Sequence, residues 1–286
     1  MRWKEWPLVL FTLLGQAAAG LAILLLLPLH VVPALITDRS LDGVRLHAAL
    51  SVLGLLGAAA ILSLFHLGRP ARAGRALSGT GSSWLSREIL AEILFMAATA
   101  ALAFTAWRAS ASYVNISIAV LVAAEAIAFV VSMARIYTVP AVPDWNTPAT
   151  SAAFFATALL LGSMLAALAA RGAIPFLSGL AGTAFDAASQ KIAFAFAAAA
   201  FLLAFLFSPG FGRRVRRKAA RVYPPDRSLP FFFAVRISLL VPAIGLWGAA
   251  AFRPLAPASL AWIAFAAAVL SEFVGRLVFY SLPDGF

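Results

Sequence analysis

Eight apolar runs, each close to the length that crosses a hydrocarbon core as a helix, leave this chain few architectures. A bilayer core takes about 20 helical residues. The runs lie near 7–28, 44–67, 86–107, 113–137, 148–170, 188–208, 230–251 and 257–281. They are continuous rather than alternating, which excludes a transmembrane barrel. Hydrophobic residues make up 63% of the chain, well above the roughly 45–50% of a soluble domain. The sequence therefore predicts an all-α integral membrane protein with eight transmembrane helices, a single polytopic membrane domain over residues 1–286.

The first run exceeds the apolar core of a signal peptide, about 7–15 residues, and reads as an uncleaved span. Gly68 and Pro70 are expected to stop the second span, and Ser86 to cap the third. The short link RASAS makes the third and fourth spans antiparallel neighbours. Stretches such as AFAFAAAAFLLAF present small residues that let helices approach closely.

The chain has no cysteine, which excludes disulfides, iron–sulfur ligation and zinc–thiolate sites within it. Its net charge of +11 comes from short loops between spans, so it concerns orientation and anionic lipid rather than nucleic acid. An even number of spans puts both termini on one side, here side A. Counting the loops and span ends, and leaving out only Arg236 and Arg276, side A carries fourteen Lys and Arg and side B six, with seven of the fourteen supplied by the loop GRRVRRKAARVYPPDR. The positive-inside rule then makes side A, with both termini, cytoplasmic.

Ionisable residues within spans are functional candidates because burying them in lipid is costly. Most of them fall at side A. His66 ends span two, Glu88 and Glu92 open span three, Arg135 and Tyr137 end span four, and Glu272, Arg276 and Tyr280 lie toward the end of span eight. Glu88 and Glu92 are spaced i, i+4 on one helix face, where they can accept and pass protons, or act as a helix-start carboxylate and the partner of an arginine. His66 can bond a quinone carbonyl or the last carbonyls of its own helix. Glu272 and Arg276 read as a structural ion pair, with Arg135 and Arg236 as partners for such carboxylates or for lipid phosphate. Gln16 reads as an interhelical hydrogen-bonder near enough to side A to line a site. Glu125 stands near mid-span and needs a partner or a proton.

A bundle haem needs paired axial ligands. His47 and His66 are 19 residues apart, about 28 Å along one helix, so no haem is expected. Spans four and eight end alike, ARIYTVP and GRLVFYSLP, which fits two four-helix halves and fits chance as well.

Four stretches in chain order carry a family resemblance: KEWPLVLFTLLGQAAAG, FHLGRPARAGRAL with LSREI, RIYTVPAVPDWNTPATSAAFF, and EFVGRLVFY. Together they resemble the membrane anchor subunit of the anaerobic dimethyl sulfoxide reductase family of molybdoenzymes. The resemblance implies a haem-free anchor in a bacterial or archaeal cytoplasmic membrane. It implies an iron–sulfur subunit and a molybdopterin catalytic subunit as partners, the clusters and molybdopterin lying on them alone. It also implies menaquinone or ubiquinone as the bound substrate, with electrons passing from menaquinol to the docked iron–sulfur subunit. By motif position His66 and Glu88 are the implied quinol-binding residues, with Glu92, Gln16, Arg135 and Tyr137 as further candidates. Related anchors serve sulfite dehydrogenases or polysulfide reductases. A rival class, the secondary transporter, predicts ionisable residues at the midplane, where Glu125 is the main candidate.

Overall fold

The computed structural model describes residues 5–31, 40–66, 77–108, 112–172, 179–221, 228–253 and 257–282. Among them the elements are helical: α1 (Trp6–Leu21), a π-helical turn (Ala22–Leu26), α2 (Leu27–Val31), α3 (Ser40–His66), α4 (Trp84–Trp107), α5 (Ser112–Tyr137), α6 (Pro148–Gly172), α7 (Gly179–Arg221), α8 (Ser228–Phe252) and α9 (Ala258–Tyr280). Eight of the resulting segments are long and apolar enough to cross a membrane, α1, the π turn and α2 forming the first. The π turn sits just ahead of Pro28, which has no N–H to offer the Leu24 carbonyl.

The first span is central, packing against α3, α5, α6 and α9. Most of the first span and of α6 is buried, whereas α8 and the membrane part of α7 are largely exposed. The central position follows from small residues. Gly20 of α1 crosses Gly162 of α6 so closely that a Cβ on Gly20 would fall on the Ala158 carbonyl, and one on Gly162 against the Gly20 backbone. Gly20→Val is therefore expected to destabilise the bundle by about 1–3 kcal/mol through overpacking. Thermal unfolding in detergent measures this, and an unchanged midpoint would show that the crossing is not needed.

The sequence boundaries hold to within a few residues except in two places. Helix α4 is capped by Ser83, not Ser86: it starts at Trp84, and the Ser83 hydroxyl accepts from the Ser86 N–H at 3.4 Å. The larger difference is the stretch expected to be a loop after span six. Helix α7 continues through Pro209 and Gly210 to Arg221, 43 residues in all, or about 64 Å. Packing explains the continuation. Val215 is buried in a small cluster with Leu229, Val278 and Leu282, flanked by Phe211, Phe232 and Phe233. Phe211, Val215 and Ala219 recur at i, i+4, so one face docks while Arg213, Arg216 and Arg217 stay exposed. Gly68 and Pro70 lie outside the described residues.

Candidate functional site: a polar seam at one end of the bundle

Helix α4 buries the face carrying Glu88, Ala91, Glu92, Phe95, Ala98, Thr99 and Leu102. That helical periodicity turns both carboxylates inward, Glu88 being 4% and Glu92 7% exposed. Arg87 points elsewhere. Its guanidinium donates to the Thr80 and Gly81 carbonyls at 2.9 and 2.8 Å and stacks on Trp84, 4.4 Å from the ring centroid, which holds the turn before the helix. Glu88 and Glu92 interact electrostatically, as expected one turn apart. One oxygen of Glu92 is buried with no hydrogen-bond partner among the described residues.

Beside these carboxylates stands an aromatic cluster. Tyr137, the last residue of α5, packs 5.2 Å from Trp145 and 5.5 Å from each of Phe154, Phe279 and Tyr280. Its hydroxyl lies 3.1 Å from that of Tyr280, so one phenol donates to the other. The Trp145 indole donates to the Phe279 carbonyl at 2.9 Å and pins the α5–α6 loop to the end of α9. Glu88 interacts electrostatically with both phenols. The two tyrosines are those of the matching ARIYTVP and GRLVFYSLP endings, which the fold brings together.

Guanidinium groups form the far end of the seam. Arg276 donates to the Gln16 side-chain carbonyl at 3.0 Å, and its guanidinium carbon sits over Phe154, 3.7 Å from the ring centroid. It interacts electrostatically with Tyr137 and Tyr280. Glu272 accepts from Arg236 at 3.0 Å and from the Thr157 hydroxyl at 2.6 Å. Arg236 lies across α9 at Gly275, where a Cβ would come within 2.6 Å of its Nε. The expected Glu272–Arg276 pair is met only in part: the two interact electrostatically, but Glu272 takes its direct ion pair from Arg236 of α8, and Arg276 hydrogen-bonds to Gln16 of α1. Interhelical reach wins because each partner faces its neighbour across a tight helix contact.

Of the six residues singled out in the sequence, Gln16, Glu88, Glu92 and Tyr137 belong to this seam. Arg135 does not; it is exposed, its guanidinium 5.6 Å from the Trp84 ring centroid. His66 ends α3, which packs against α4, and its side chain lies outside the described residues. Tyr280 is one of the ionisable residues of this edge but not one of the six, and the sequence singles out neither Thr157 nor Trp145. The repeated ending signalled Tyr280; no local pattern signals the other two, whose partners are more than 100 residues away. Glu125 is half-buried at the middle of α5 and makes no hydrogen bond into the seam. Among the described residues no group of three His, Asp or Glu side chains can hold a metal ion.

Eight membrane-crossing helices with carboxylates, phenols and guanidinium groups gathered at one end define a polytopic membrane subunit whose polar chemistry sits at the membrane edge. The protein belongs to the DMSO reductase anchor subunit (DmsC) family, whose sequence profile matches residues 1–282. It is 31% identical over 288 residues to the anaerobic dimethyl sulfoxide reductase chain YnfH of Escherichia coli K12, covering 98% of this protein and 95% of that one. A second anaerobic dimethyl sulfoxide reductase chain of the same E. coli strain is also 31% identical, over 289 residues with the same coverage. An anaerobic dimethyl sulfoxide reductase chain of Haemophilus influenzae is 33% identical over 167 residues, 56% of this protein and 57% of that one.

Proposed function

We propose that this protein is the quinol-oxidising membrane anchor of a three-subunit molybdoenzyme, and that quinol reacts where α3, α4, α5 and α9 meet at side A. The carrying observation is Glu92, whose buried oxygen has no partner among the described residues, one turn below the equally buried Glu88. Unpaired acceptors in a lipid-embedded site suit a neutral ligand that brings hydroxyl donors, and a quinol is such a ligand.

Quinol entering laterally between helices places its hydroxyls against Glu88, Glu92 and His66. Oxidation releases two protons and two electrons. The carboxylates and the His66 imidazole take up the protons, which leave through the phenol pair Tyr137–Tyr280 and the side A loops. The electrons pass to an iron–sulfur cluster of a subunit docked on side A, and from there to a molybdopterin subunit that reduces the terminal substrate, dimethyl sulfoxide by the names of the relatives. Gln16 and Arg276 brace the floor of the site through their 3.0 Å hydrogen bond. The charge tally supports a cytoplasmic side A; on that reading quinol oxidation would release as many protons as the reductase consumes, and this step would add nothing to the proton gradient.

Purification in mild detergent tests the assembly. Two soluble subunits carrying molybdenum and iron are expected to come with the anchor, detected by metal analysis of the eluted complex. An anchor that elutes alone with full structural integrity would contradict the role.

A further inference from the structure

We infer that the cleft between α6, α7, α8 and α9 holds an anionic glycerophospholipid by its phosphodiester. The cleft is lined by the guanidinium groups of Arg214, Arg236 and Arg276, with Glu272 beside them. Arg276 is 4% exposed, and beyond its bond to Gln16 its Nε has no partner among the described residues. The Nε atoms of Arg236 and Arg214 likewise have none. Glu272 pairs with Arg236, and Asp144 interacts electrostatically with Arg214. The cleft itself presents three cations and one carboxylate, and outside it Asp144 and Arg213 act on Arg214 with opposite sign, so the cleft keeps a positive surplus that suits a phosphodiester.

Depth and surroundings favour a lipid over a soluble anion. Arg276 lies four residues from the side A end of α9 and Arg236 eight residues from that of α8, about 6 and 12 Å along the axes. Arg214 stands ten residues beyond Ala204, where the membrane-spanning part of α7 ends. The cations thus descend from the interface into the membrane. The walls are Leu203, Phe207 and Phe279, and the lipid-facing side of α7 continues with exposed Leu202 and Leu206 as a track for an acyl chain. A quinol suits the cleft less well, because its hydroxyls need acceptors and the cleft offers an excess of donors. A zwitterionic headgroup suits it less well too, since its ammonium would face the surplus positive charge.

The test is native mass spectrometry of the full-length protein, or its complex, released from nanodiscs of mixed phosphatidylglycerol and phosphatidylethanolamine. One phosphatidylglycerol is expected to remain bound in preference to phosphatidylethanolamine. Arg214→Gln should lower its retention about tenfold, the scale of losing a charge-assisted hydrogen bond. Arg214→Lys, which keeps the charge on the same helix, should retain more than Arg214→Gln. Arg216→Gln and Arg217→Gln, exposed on the same helix, should leave retention unchanged. Equal retention of the two lipids would overturn the proposal, as would a loss in the Arg216 and Arg217 variants matching that in Arg214→Gln. Displacement of the lipid by excess inorganic phosphate would reassign the cleft to a soluble anion and overturn it equally.

Discussion

Glu88→Gln is expected to lower quinol oxidation by about 100-fold or more, the usual scale for removing a positioned proton acceptor. The amide matches the carboxyl in size and still forms hydrogen bonds, so the buried face of α4 keeps its packing. What it would lose is the proton-accepting capacity that the proposed function assigns to Glu88. Assembly with the partner subunits should be unchanged, and steady-state oxidation of a menaquinol analogue by the purified complex measures the effect. Arg135→Gln is the matched control. Arg135 is exposed and stacked on Trp84 outside the seam, so its loss should leave the rate within about twofold, since surface charges rarely contribute more. Equal losses in both variants would point to a general disturbance of side A rather than proton transfer at Glu88.

The largest stability effect should come from Arg236→Ala. Its guanidinium is 3.0 Å from Glu272, whose side chain is 6% exposed. Removing the arginine leaves a carboxylate buried among helices without its direct ion-pair partner, the Thr157 hydroxyl remaining as a hydrogen-bond donor and Arg276 as an electrostatic partner. Breaking a buried pair from one side costs about 3–5 kcal/mol. Combining Arg236→Ala with Glu272→Gln removes the unpaired charge and keeps an acceptor for Thr157, so most of the stability should return. Chemical unfolding in detergent resolves the two variants. A double variant no more stable than the single would mean that Arg236 acts through packing over Gly275 rather than through charge.

Apolar run length made the eight spans legible, because backbone hydrogen bonding in lipid allows little besides helix at that length. Side A was legible as the polar edge for the same reason: ionisable residues in spans are rare enough that each stands out. The partners of those residues were not legible. An i, i+4 spacing put Arg276 beside Glu272, yet helix packing gives Glu272 to Arg236 and Arg276 to Gln16. The extension of α7 was hidden by Pro209 and Gly210, which usually punctuate a helix. Its reason is the docked face of Phe211, Val215 and Ala219, visible only once α8 and α9 supply the surface beneath it. The tyrosine pair lay between these cases. Its two halves were visible as a repeated ending 143 residues apart, and the hydrogen bond between them required the fold.

The proposed function puts quinol oxidation where Glu88, Glu92 and Tyr137 converge at side A. Photolabelling of the intact complex with an azido-quinone, followed by peptide mapping, tests this most directly. The label is expected on the first turns of α4 or the ends of α5 and α9, and Glu88→Gln should reduce it. Label concentrated at the opposite end of the bundle, around His30 and His47, would contradict the site and the function built on it.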